Sequence, residues 1–226
     1  MSEETVRVTR GPLTLEGVLG LPTKAIGIVV FAHGSGSGRF SPRNNVVARY
    51  LQQGHVATLL LDLLTPDEAD DRRKVFDIDL LADRVLLAKG WLGQDDRTKS
   101  LGIGYFGAST GAGAALQAAA RDPSSIRAVV SRGGRPDLAE PYLSSVAAPT
   151  LLIVGGDDEP VIEMNRTAYR LLACQKRLVI VPGASHLFEE PGTLEQVSEQ
   201  ALAWFQHYFL SDPHDGGVAT IKESHL

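Results

Sequence analysis

Ser109 stands between Gly107 and Gly111, in the run Gly107-Ala108-Ser109-Thr110-Gly111. A serine hydroxyl is a weak nucleophile that becomes strong when a base takes its proton. The run fits G-x-S-x-G, in which a sharp strand-to-helix turn lifts such a hydroxyl clear of a sheet. Its surroundings suit that turn. Residues 101–106 are a short apolar run that reads as a buried strand, and residues 112–120, mostly alanine, read as a helix. A helix N-terminus aimed at the serine favours negative charge developing there.

The base is expected downstream, in a loop after a late strand. His186 lies in such a loop, between an apolar run over 177–181 and a final helical pattern over 194–209. The other histidines compete poorly. His33 belongs to a strand-end turn, His55 precedes a strand, His207 lies on a helix, and His214 and His225 fall in the C-terminal tail. A histidine base needs a carboxylate to fix its tautomer and stabilise its cation. The buried run over 150–154 ends in Gly155-Gly156-Asp157-Asp158-Glu159-Pro160. Successive side chains diverge, so only one of Asp157 and Asp158 can face the imidazole, and Asp158 is favoured. The order Ser109, Asp158, His186 is that of α/β-hydrolase triads. Asp62 also ends a strand, but it precedes the serine and reads as a capping or core-edge carboxylate.

A tetrahedral oxyanion needs two amide donors. Thr110 follows the nucleophile, and Ser35 in the early loop His33-Gly34-Ser35-Gly36 is expected to supply the second. Gly34, Leu187 and the arginines Arg39, Arg132 and Arg135 are the expected substrate contacts, and Arg43 joins Arg39 in flanking the early loop. A guanidinium can hold a carboxylate or phosphate bidentately. The competing expectation for these arginines is ion pairing with loop acids such as Asp137.

These residues must be positioned by alternating strands and helices. Residues 6–8 and 13–20 read as an antiparallel hairpin turning at Gly11-Pro12. Buried strands follow over 26–32, 56–61, 101–106, 128–131, 150–154 and 177–181, and helices over 44–53, 78–92, 112–120, 161–172 and 194–209. Ser41 suits an N-cap and Pro42 a first helical position. The alternation predicts an α/β fold with a mostly parallel sheet and helices on both faces. The charged run over 66–74 reads as a solvated loop, or as a flap beside the site. One domain is expected over 1–210, with a polar tail over 211–226.

Composition narrows the function classes. The chain has 226 residues, a net charge of −5 and a single cysteine, Cys174. No basic footprint argues for nucleic acid or an anionic membrane surface. No apolar run is long enough to span a bilayer, and the N-terminus does not read as a signal peptide. A single cysteine forms no internal disulfide and no cysteine metal cage, and at its helical position Cys174 reads as a small apolar filler. A cytoplasmic protein without cofactor or metal, monomeric or homodimeric, is the expectation. Glycines also imitate nucleotide motifs: Gly102, Gly104 and Gly107 fit G-x-G-x-x-G. That match lies inside the strand instead of after it, where a phosphate turn belongs.

Together these pieces resemble an α/β-hydrolase without a large lid, and within that class the dienelactone hydrolase family. The carrying segments are Phe31 with His33 to Gly36, Thr58 to Asp62, the Ser109 turn, Gly155 to Val161, and Ala184-Ser185-His186. The family's acid falls three residues after the first glycine of its late turn, which maps to Asp158. The resemblance implies a hydrolase. The family's namesakes use a cysteine where this chain has Ser109, which favours small carboxylic esters over dienelactone as substrates. Thioesterase, lactone hydrolase or acyltransferase chemistry would use the same triad. A binding module and an NAD(P)-dependent protein are the readings from other classes.

Overall fold

The computed structural model describes residues 2–211. The tail expected over 211–226 therefore falls, but for Ser211, outside the described residues. β1 (Ser2–Arg10) and β2 (Leu13–Leu21) form the expected hairpin, with Gly11 at φ 57° in its turn. Six strands follow: β3 (Gly27–Ala32), β4 (Val56–Leu61), β5 (Ile103–Ala108), β6 (Ile126–Arg132), β7 (Thr150–Gly155) and β8 (Lys176–Val181). Their order across the sheet is β1-β2-β4-β3-β5-β6-β7-β8. The hairpin joins β4 antiparallel, and all pairings from β4 to β8 are parallel.

The continuous apolar runs explain this sheet. β3, β4, β5 and β7 are buried at every residue, which requires helices on both faces. α1 (Pro42–Gln53) opens one face, with Ser41 as N-cap and Pro42 inside the first turn, as the sequence suggests. The segment over 66–74 is not a plain loop. It forms two single turns, α2 (Pro66–Ala69) and α3 (Arg72–Val75). Thr65 and Glu68 make a reciprocal capping box, and Glu68 also bonds Arg84 at 2.9 Å. α4 (Ile78–Leu92), α5 (Thr110–Arg121) and α6 (Glu159–Leu171) cover the second face, together with a kinked 3-10 stretch, Pro136–Ser145. α7 (Thr193–Leu210) returns to pack beside α1.

The glycines that imitate a nucleotide motif have a packing cause. A Cβ on Gly104 would stand 2.7 Å from the Phe205 ring of α7, and one on Gly107 would stand 2.4 Å from Ala112 Cα. They let helices approach β5 from both sides.

The connection leaving β3 runs through α1 over one face, while the connection leaving the neighbouring β5 runs through α5 over the other. A crevice therefore opens at the C-terminal ends of β3 and β5, the switch point where ligands settle in such sheets.

Candidate active site

β5 ends at that crevice, and Ser109 takes φ 51° and ψ −123°. Such a backbone costs a residue with a side chain about 1–3 kcal/mol and persists only when its surroundings over-determine it. The surroundings here are specific. The Ser109 amide donates to the Arg132 carbonyl at 3.2 Å, and the Ser109 carbonyl accepts from the Ala112 and Arg135 amides at 3.0 Å each. Gly111 brings α5 against β3, because a Cβ there would lie 2.2 Å from the Ala32 carbonyl oxygen. Gly111→Ala is thus expected to destabilise the fold by about 1–3 kcal/mol or more. Urea unfolding reads this directly, and an unchanged midpoint would mean that α5 slides freely away from β3.

Asp158 stands at the N-cap position of α6 after β7 without capping it through its side chain, and His186 lies in the loop after β8. The two loops are laced together by the Gly156 amide on the Val181 carbonyl (2.8 Å) and the Asp157 amide on the Ala184 carbonyl (3.0 Å). Gly155 permits this, since a Cβ there would meet the Ala184 carbonyl oxygen at 2.3 Å. Glu190 braces the His186 loop by accepting from the Ser185 amide at 3.0 Å, a bond that holds the Glu190 carboxyl below its usual range. Asp158 Oδ2 lies 2.6 Å from His186 Nδ1, and the Asp157 side chain is exposed. Asp158 is therefore the carboxylate that meets the imidazole. With Nδ1–H donating to it, Nε2 is left as the acceptor.

Ser109 and His186 line one pocket of about 240 Å³, without a direct hydrogen bond between them. Gly34, Leu187, Arg43, Asn44 and Arg132 also line it. Gly34 sits against the nucleophile, since a Cβ there would stand 3.0 Å from Ser109 Cβ. A second cavity of about 330 Å³ lies across the loop over 34–37, walled by Leu64, Pro66, Ala69, Val75 and Leu81. The turns over 66–75 thus border the crevice.

Three expectations change. The Ser35 amide is not free, because it donates to Thr110 Oγ1 at 2.9 Å and ties the early loop to the start of α5. Arg39 is held by two carboxylates, Asp62 and Glu16. Arg135 donates through Nε and Nη2 to Asp137 at 2.9 and 2.7 Å. Neither arginine lines the pocket of Ser109. Asn44, absent from the sequence reading, does. Its signal was the Ser41-Pro42 helix start, which fixes the N-terminus of α1 beside the early loop.

His33 supports the site from below. Its Nδ1–H donates to the Gly34 carbonyl at 2.9 Å, and its Nε2 accepts from the Leu63 amide at 3.0 Å. Both bonds together require the neutral ring, and burial pushes its pKa below 6.5. A depressed folded-state pKa gives stability that is full above the unfolded value of 6.5 and is lost as pH falls toward the folded value. The melting temperature should accordingly drop less between about pH 7 and about pH 5 in His33→Gln than in the parent. Equal slopes would show that the ring protonates alike in both states.

Among the described residues no group of three or more His, Cys, Asp or Glu side chains could hold a metal ion, and no helix is long and apolar enough to cross a membrane. Cys174 is half-buried 3.7 Å from Thr150 Oγ1, and burial pushes its thiol pKa up.

Residues 15–209 match the model of the dienelactone hydrolase family. The chain belongs to that family. This dienelactone hydrolase family member has the α/β-hydrolase fold. It is 57% identical to a solved dienelactone hydrolase from Anabaena variabilis, at TM-score 0.89 over 92% of this chain and 98% of that one. An α/β serine hydrolase without lid from Xanthomonas campestris shares the fold at TM-score 0.76 and 19% identity, over 93% of this chain and 97% of that one. Two Mycobacterium tuberculosis proteins, from strains CDC 1551 and H37Rv, are 58% identical over 205 residues, 91% of this chain and 46% of theirs. Both are named "Putative phosphoribosyl transferase". The chain thus spans about half the length of these curated relatives.

Proposed function

We propose that this dienelactone hydrolase family member cleaves small carboxylic esters through an acyl-enzyme on Ser109. The observation that carries the reading is the 2.6 Å Asp158–His186 contact beside a serine at positive φ in the same pocket. His186 Nε2 takes the Ser109 proton as Oγ bonds to the ester carbonyl carbon. The carbonyl oxygen gains the negative charge and turns toward the N-terminus of α5, where the Thr110 amide is the first donor. The tetrahedral adduct collapses when the carbon–oxygen bond to the alcohol breaks and His186 returns the proton to that oxygen. Water, deprotonated by His186, then releases the acid and restores Ser109. Asp158 orients the ring and stabilises its cation throughout. His186 and Ser109 line one pocket, and catalytic hydrogen bonds of this kind form fully in the complex with substrate. A pocket of about 240 Å³ suits small acyl groups.

Thioesters and lactones would pass through the same intermediates. The transferase name of the mycobacterial relatives belongs to proteins about twice as long.

A fluorophosphonate with intact-mass readout tests the reading. One adduct on the parent and none on Ser109→Ala supports it. A folded parent that takes no adduct overturns it.

A further inference from the structure

Arg132 has an anomalous position. It ends β6 beside the Ser109 turn and is only 7% exposed, yet among the described residues no carboxylate pairs with it. Its Nε and Nη1 have no hydrogen-bond partner, and Nη2 reaches only Asn44 Oδ1 at a long 3.4 Å. The charge it feels most is another cation, Arg43. Burial and Arg43 lower its pKa to about 10, which still leaves it protonated at neutral pH. The other arginines discussed above are neutralised: Arg39 by Glu16 and Asp62, Arg84 by Glu68, Arg135 by Asp137. Arg43 pairs outward with exposed Glu189, while its own Nε is buried and unpartnered.

A buried guanidinium with no carboxylate of its own, beside a second cation whose only carboxylate is an exposed one, is costly and calls for a ligand that compensates it. The surroundings indicate where that ligand sits. The Phe188 ring lies 6.0 Å from the Arg132 guanidinium, and the 240 Å³ pocket opens beside it. The N-terminus of α1, a helix of 12 residues, borders the same pocket through Ser41, Arg43 and Asn44. Helix N-termini favour anions. In a chain of net charge −5, the unpaired Arg132 lies beside Ser109 together with Arg43, whose carboxylate partner is on the exposed side, and the Ser41-capped N-terminus of α1.

We propose that Arg132, Arg43 and the N-terminus of α1 form a subsite for an oxyanionic group, a carboxylate or a phosphoryl group, carried by the ester substrate. The proposal rests on the ester-hydrolase reading above and adds the substrate's charge. The anion docks against Arg132 and Arg43 and sets the scissile carbonyl over Ser109, so binding energy remote from the reacting carbon orients it.

Two experiments test the subsite separately from turnover. Succinate and inorganic phosphate are titrated against Ser109→Ala at constant ionic strength, with melting temperature as readout. Either anion should raise it, and Arg132→Gln added to that background should remove the rise. Succinate alone acting marks a carboxylate site, phosphate alone a phosphoryl site, and both acting supports the shared chemistry.

In the active enzyme, kcat/KM is compared for monomethyl succinate and its neutral isostere methyl levulinate, and for 2-acetoxyethyl phosphate and 2-methoxyethyl acetate. The preferred anionic substrate should lose its advantage by about 100-fold in Arg132→Gln, mostly through KM. Arg43→Gln, at the half-exposed rim, is the second variant should Arg132→Gln unfold, and it should shrink the advantage by about 10-fold. No anion-dependent rise together with no anionic preference would overturn the subsite. An anion-dependent rise in a protein that hydrolyses no ester would keep the subsite and sink the esterase reading.

Discussion

Ser109→Ala is expected to lower kcat on a small activated ester such as p-nitrophenyl acetate by on the order of 10⁴–10⁶-fold. In the proposed mechanism this substitution removes the atom that bonds to the acyl carbon, while the turn that presents it stays in place. That turn is fixed by backbone bonds from residue 109 to Arg132, Ala112 and Arg135 and by close packing at Gly107 and Gly111. Alanine keeps all of them, and it keeps the positive φ as well. Stability should therefore change by less than about 1 kcal/mol, so lost activity cannot be assigned to unfolding. His186→Ala should cost nearly as much, and the double variant little more than either alone. Residues that act as one unit are strongly non-additive, because the base has no role without its nucleophile. Additive losses, or more than about a hundredth of parental kcat in Ser109→Ala, would point to a nucleophile elsewhere.

Much of this site is legible in the chain because its determinants are local. The Ser109 turn needs glycines at fixed offsets, since Gly107 and Gly111 sit where a Cβ would collide with Ala112 and with the Ala32 carbonyl. The strands β3, β4, β5 and β7 are continuous apolar runs because both faces of the sheet are covered. What the sequence hides is pairing across long separations. Nothing near Arg39 in the chain foretells Glu16 and Asp62, which meet it only when β2 and β4 lie side by side. Arg132 and Arg135 look alike in sequence. Only the fold separates the one against Phe188 and the pocket from the one that folds back on Asp137. The Ser35 amide shows the same limit. Its partner, the Thr110 hydroxyl, belongs to a residue chosen in the sequence for its backbone. The turns over 66–75 differ, because their start is written locally in the chain. Thr65-Pro66-Asp67-Glu68 is a capping box with proline in the first turn.

Asp158→Asn should lower kcat by about 10³–10⁴-fold, while Asp157→Asn should stay within about twofold of the parent. The two positions are adjacent and carry the same chemistry, so the pair isolates geometry as the cause. Asp158 Oδ2 is 2.6 Å from His186 Nδ1, and its side chain is 13% exposed. An amide there is neutral and cannot stabilise the imidazolium that forms during acyl transfer. Turned the wrong way, it donates toward Nδ1 and pushes the ring proton onto Nε2, where the base must be free. Asp157 contributes to the same corner only through its backbone amide, bonded to the Ala184 carbonyl at 3.0 Å, and asparagine preserves that bond. Its exposed carboxylate reaches neither the ring nor the pocket of Ser109. The comparison is made on one ester at one pH, with melting temperatures to show that both variants are folded. Full activity in Asp158→Asn with a large loss in Asp157→Asn would mean that the late turn rearranges when substrate binds. Equal losses would mean that the turn works through its total charge, and the directed 2.6 Å contact would then lose its assigned role.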